Sequence, residues 1–214
     1  MTSPTRALCL LLALLALALE APARAGETLD KGLLELDWFG PGVEFRHADD
    51  IDYLWVKPGF DLRGKKLQLG PWLEPQLLGN RGRDSKDESR AVALTQQIPA
   101  ELARVLKKEL RKVCDVGLDE GDVLVVGRFV DVNRGSVAAS FWIGYGAGSG
   151  SATWDMKFLD RRTGELLAAL HHRAITGPDI AGITSDILDW AEELAENLEE
   201  GLERAYRKGK PAPR

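Results

Sequence analysis

Apolar and polar positions alternate most cleanly over residues 152–160, where Trp154, Met156 and Phe158 share one side and Thr153, Asp155 and Lys157 the other. A period of two sends successive side chains to opposite faces of a strand. Arg161-Arg162-Thr163-Gly164 then turns the chain and Leu166 to Ile175 returns, so the spacing predicts a β-hairpin. Earlier, Val123-Leu124-Val125-Val126 and Phe129-Val130 form a nearly continuous apolar run, the pattern of a central strand buried on both faces. Two shorter signals precede it. Tyr53-Leu54-Trp55-Val56 is stopped by Lys57-Pro58-Gly59, and Leu67 and Leu69 flank Gln68 before Gly70-Pro71.

Helical periods separate these strands. Ile98, Leu102, Val105, Leu106, Leu110 and Val113 occupy one face of a 3.6-residue repeat, and Pro99 inside the pattern predicts a kinked helix over about 88–113. Ile187, Trp190, Ala191, Leu194, Leu198, Leu202 and Ala205 give a second stripe, read as one helix over 184–207 whose acids precede its bases. Residues 79–90 are polar and aperiodic, a surface loop.

The elements predict a single α+β domain over residues 51–207. Its expected architecture is a mostly antiparallel sheet of about five to six strands with two main amphipathic helices packed on it. Residues 26–50 read as an irregular N-terminal arm that packs at Trp38 and Phe39, and 208–214 as a flexible tail holding two prolines.

The first 25 residues set the expected compartment. Arg6 precedes the apolar run 7–19, and Ala23-Arg24-Ala25 is a small-x-small cleavage pattern, which predicts a signal peptide over 1–25 and a mature start at Gly26. The run falls short of the roughly 20 apolar residues that span a bilayer. Cys9 precedes the run instead of following it, so the chain is not a typical lipoprotein. Once the leader is gone Cys114 is the one thiol left, which excludes an internal disulfide and fits a periplasmic location.

Charge narrows the partners. Twenty-eight basic against 33 acidic residues give a net charge of −5, with the bases scattered, so no nucleic-acid face is expected. An envelope protein partner or self-association is expected, and a peripheral membrane contact is compatible with the composition.

No catalytic or cofactor-binding constellation is found. Gly144, Gly146, Gly148 and Gly150 recur at every second position near Trp142 and Tyr145. Neither the phosphate-binding G-x-x-x-x-G-K-[ST] loop nor a helix-opening G-x-G-x-x-G is present. The glycines therefore mark either a twisted or bulged strand connection or an aromatic-flanked contact surface made of Trp142, Gly144, Tyr145, Gly146, Gly148 and Gly150. His171 and His172 are adjacent in a strand and point to opposite faces, so they do not share a metal. His47 with Asp49, Asp50 and Asp52 is a local cluster for a hard cation, but it lacks a recognisable ligand spacing and reads as a solvated acidic loop. No metal site and no cofactor are assigned.

The segment Gly135 to Thr176 resembles a family of bacterial envelope proteins of unknown function, many of them lipoproteins. The pattern is a glycine-rich strand followed by a hairpin with an Asp-x-x-Thr-Gly-Glu turn, carried here by Gly144, Gly146, Gly148, Asp160, Thr163, Gly164 and Glu165. More distantly the arrangement is similar to the periplasmic domain of curli-secretion-type assembly factors. The resemblance spans about 100 residues from the helix at 98 through the hairpin, and it implies no catalytic residue. The combined expectation is a non-catalytic periplasmic protein serving as an interaction or assembly module. The alternative is a ligand-binding protein that holds a lipid or carbohydrate against its tryptophans.

Overall fold

The computed structural model describes residues 30–79, 85–133, 150–175 and 183–212. Eight strands form one sheet: β1 Arg46–Ala48, β2 Ile51–Val56, β3 Lys66–Leu69, β4 Asp115–Gly117, β5 Val123–Asn133, β6 Ser151–Asp160, β7 Leu166–Ile175 and β8 Lys210–Pro211. Their order is β4-β3-β5-β6-β7-β2-β1-β8. The helices are α1 Leu36–Phe39, α2 Ser85–Glu109, α3 Ile183–Glu200 and α4 Leu202–Lys208, preceded by a 3-10 turn at Asp30–Gly32. No helix among the described residues is long and apolar enough to cross a membrane.

The predicted hairpin is present, with Trp154 opposite His172 and Asp155 opposite His171. The sheet departs from expectation in size and sense. It has eight strands instead of five or six, and it is mixed, because β3 runs parallel to both β4 and β5. Strands β1, β4 and β8 hold two or three residues each. Such pieces are too short to show a period of two, and only pairing with a neighbour makes them strands. The parallel part follows from α2, which carries the chain back across the sheet before β4, and such a crossover is what parallel pairing needs.

Residues expected in the arm and the tail join the same sheet. β1 pairs with β2 on one side and with β8 on the other, closing that edge.

Helices α2 and α3 lie side by side on one face. Ala91, Leu94, Ile98, Leu102, Leu106 and Leu110 from α2 meet Ile187, Trp190, Ala191, Leu194 and Leu198 from α3 above Phe129, Trp154, Met156 and Phe158. Pro99 sits inside α2, which runs unbroken from Ser85 to Glu109. The C-terminal helix, expected to be continuous, is two helices. Gly201 adopts φ 96° and ψ 115°, a backbone conformation that glycine reaches without steric cost, and it re-aims α4 toward β1 and β2.

The opposite face is not left to solvent. The arm folds over it, and Leu34, Phe39, Phe45, Tyr53 and Ala169 form a second, smaller apolar cluster there.

Candidate functional site

Of the six residues nominated as a contact surface, only Gly150 is among the described residues, and it is buried at the entrance to β6. Trp142, Gly144, Tyr145, Gly146 and Gly148 lie outside them. The described residues nearest in sequence are the ends of β5 and β6, where Asn133 pairs with Ser151 and Ser151 with Ile175. Ile175 is 70% exposed, and Leu78, whose N–H donates to the Val130 carbonyl, is also exposed.

The Asp160-to-Glu165 motif is a structural turn. One Asp160 carboxylate oxygen accepts from the Arg162 N–H at 3.0 Å, the Thr163 N–H at 2.8 Å and the Thr163 hydroxyl at 3.0 Å. These bonds, the Thr163 N–H first, hold the Asp160 carboxyl below its usual range. Gly164 takes φ 73°, and Glu165 pairs with Lys57 across the sheet at 2.6 Å.

The chemistry that the sequence reading missed lies under the arm. Arg128 on β5, Asp155 on β6 and His171 on β7 stand side by side on the face away from α2 and α3, with exposures of 3%, 0% and 0%. Arg128 Nε donates to Asp155 Oδ2 at 2.9 Å, and a second guanidinium nitrogen pairs with the same oxygen at 2.8 Å. His171 Nδ1 is 2.6 Å from the other oxygen, Asp155 Oδ1. The arm completes the set. Asp30 Oδ2 lies 3.1 Å from His171 Nε2, and Glu35 pairs with Arg128 at 3.0 Å. The Trp38 ring lies 4.3 Å from the Arg128 guanidinium and 4.0 Å from Lys157 Nζ.

Burial works against a charged His171, but its hydrogen bonds to Asp155 and Asp30 outweigh it and raise the imidazole above its ordinary value of 6.5. The bond to His171 in turn lowers Asp30 below 3.8. Lys157 is pushed down, first by burial and then by Arg128 beside it. A signal for this cluster existed in the sequence: Arg128 interrupts a run read as buried on both faces, and a buried guanidinium requires a carboxylate partner.

His172 points the other way, as expected for adjacent strand residues. Its ring stacks on Trp190 at 5.0 Å and 12°, and Nδ1 pairs with Asp52 at 3.0 Å. Asp52 also accepts from the Arg173 N–H at 2.8 Å, while His47 packs against the Tyr53 ring at 4.8 Å. Of the four residues considered for a hard cation, Asp52 and His47 are thus engaged with other partners. Among the described residues no group of three or more His, Cys, Asp or Glu side chains converges as a metal would require.

The described tryptophans are used internally. Trp154 and Trp190 meet edge to face in the main core at 4.9 Å, and Trp72 lies 4.7 Å from Phe129. Trp38 and Trp55 pack around the second cluster. Cys114 is buried, and burial pushes its thiol up to about 11, the state of an unreactive sulfur.

A family model described as Domain of unknown function (DUF4410) matches residues 60–177. The match takes in β3 to β7 with α2, hence Arg128, Asp155 and His171, and leaves Asp30, Glu35 and Trp38 outside. No curated protein matches the chain. Among solved structures, the PelC dodecamer of Paraburkholderia phytofirmans is 8% identical with a TM-score of 0.42, over 68% of this chain and 94% of that one. A Xanthomonas campestris protein assigned to DUF330 is 9% identical with a TM-score of 0.41, over 72% and 92%. A putative neuraminyllactose-binding hemagglutinin homolog from Helicobacter pylori is 11% identical with a TM-score of 0.34, over 71% and 94%.

Proposed function

We propose that this chain, which belongs to the DUF4410 family of domains of unknown function, is an exported, non-catalytic component of the cell envelope that works as an interaction or assembly module. The observation that carries the non-catalytic reading is the state of His171. It is the fully buried imidazole of an Asp–His–Asp arrangement that could be taken for catalytic machinery, and both of its ring nitrogens face carboxylates of the same chain. A general base needs a free nitrogen within reach of the proton it removes. His171 offers none, and its partner Asp155, with Arg128 behind it, is equally enclosed, so the cluster ties the arm to the sheet.

Export rests on the leader pattern of residues 1–25, with Gly26 as the mature start. The contact surface is assigned to the end of the sheet where β5 stops and β6 begins. Ile175 and Leu78 are exposed there, and the glycine-aromatic segment containing Trp142, Gly144, Tyr145, Gly146, Gly148 and Gly150 joins the two strands.

The test is native mass spectrometry of tagged protein released by mild detergent from its own envelope. The expected result is a mass equal to several copies, or to one copy with a defined protein partner. A monomer carrying a small bound mass would overturn the assembly reading and make the protein a ligand binder.

A further inference from the structure

The geometry points to a pH-operated latch: the Asp30–Gly32 turn is fastened to the sheet while the His171 ring is doubly protonated and opens when the ring becomes neutral. A neutral imidazole has one N–H and one bare nitrogen. With carboxylate oxygens at 2.6 Å and 3.1 Å from its two nitrogens, only the imidazolium donates to both. On deprotonation one carboxylate must face a lone pair, and the structure decides which. Asp155 is fixed on its other oxygen by Arg128 at 2.9 Å and 2.8 Å, all within the sheet, so it keeps the Nδ1–H. Asp30, on the arm, is the partner left facing Nε2.

A glycine pivot is present at that point. Asp30 holds φ 48°, in the left-handed region that aspartate enters more readily than most residues, and Gly32 two residues on has φ 91°, which glycine adopts without strain. Beyond the turn, Leu34 and Phe39 are buried in the second apolar cluster and anchor the rest of the arm. The turn therefore opens about Gly32 while α1 stays in place.

Among the described residues the charged groups around His171 come from four strands and the arm, and Asp52 of β2 feels the ring directly. Asp155 faces it from β6 and Asp30 from the arm, with Arg128 of β5 behind Asp155. From β2, Tyr53 meets the ring edge to face at 5.6 Å, with His47 of β1 on the far side of Tyr53. Arg173 of β7 and Asp52 of β2 act on Asp30 through space. The signs agree with the latch. His171 is raised above 6.5, so its contribution is complete below that pH and is lost as pH rises through the folded-state value. Asp30 is lowered below 3.8, so its contribution is complete above that pH and is lost only in stronger acid.

The Leu33 N–H reports the latch directly, because it donates to the Asp30 carbonyl at 3.0 Å inside the turn. Hydrogen exchange of this amide, corrected for intrinsic hydroxide catalysis, is to be followed against the His171 ring signals in an NMR pH titration of the purified protein. Its protection is expected to fall at least tenfold as His171 loses its proton, while amides of β6 keep theirs. The variant Asp30→Asn separates this mechanism from a general loosening. An asparagine amide can donate to the bare Nε2, so the step in Leu33 protection should vanish although the ring still titrates. Unchanged protection through the His171 titration, or a step that persists in Asp30→Asn, would overturn the proposal.

Discussion

The indole of Trp72 covers the bare backbone of Gly127 so closely that a Cβ built at 127 would fall 2.5 Å from the ring. Trp72 follows β3, and its neighbour Leu73 donates its N–H to the Gly127 carbonyl at 2.8 Å, so the chain runs on along β5 after the strand proper ends. A glycine inside a strand marks close approach of another group. Here the group is an aromatic ring that fills the core between β5 and α2.

Gly127→Ala is expected to lower stability by about 1–3 kcal/mol, the range for overpacking a filled site. Denaturant unfolding monitored by tryptophan fluorescence measures it. The double variant Gly127→Ala/Trp72→Leu should lose less than the sum of the single losses, since the clash is with the ring that is removed.

Asp155→Asn keeps the shape of the side chain and removes the charge that both Arg128 and His171 require. With all three residues sealed from water, breaking the set should cost about 3–5 kcal/mol. A loss below about 1 kcal/mol in urea unfolding would mean that the cluster is far better hydrated than its burial indicates.

In the hairpin turn, Gly164→Ala forces an alanine to φ 73° and should cost about 1 kcal/mol. Lys57→Ala removes the partner of Glu165, but both side chains are exposed, so a change under about 0.5 kcal/mol is expected. Equal losses for the two variants in thermal melts would contradict this ranking.

Cys114 should resist alkylation. Its thiol is raised from 9.0 to about 11, which lowers the thiolate fraction near neutral pH by about a hundredfold, and burial slows access further. Iodoacetamide labelling at pH 8 is expected to be rapid only in denaturant. Rapid labelling of the native protein would place the cysteine at the surface.

Helices α2 and α3 and the β6–β7 hairpin were legible in the sequence because each carries its own period over ten or more residues, and burial of one face follows from that period alone. Ile98, Leu102, Leu106 and Leu110 are all buried, as are Trp154, Met156 and Phe158. The environment of the opposite positions was not legible, for a physical reason. Asp155 and Lys157 occupy the polar phase of β6, and a strand pattern states only which residues share a face, not what later covers that face. The arm arrives from about ninety to 140 residues away in sequence, and its arrival covers the buried set of Asp155, Arg128 and His171.

The same division holds for the whole chain. Local periodicity and turn chemistry determined the long strands, the two amphipathic stripes and the opposed orientations of His171 and His172, because these depend on neighbours a few residues apart. Only the tertiary structure decided the parallel pairing of β3, the recruitment of β1, β4 and β8, and the break at Gly201. It alone also placed Asp30 and Glu35 against buried charges. Those features depend on hydrogen bonds and ion pairs between distant segments, whose partners no local pattern specifies.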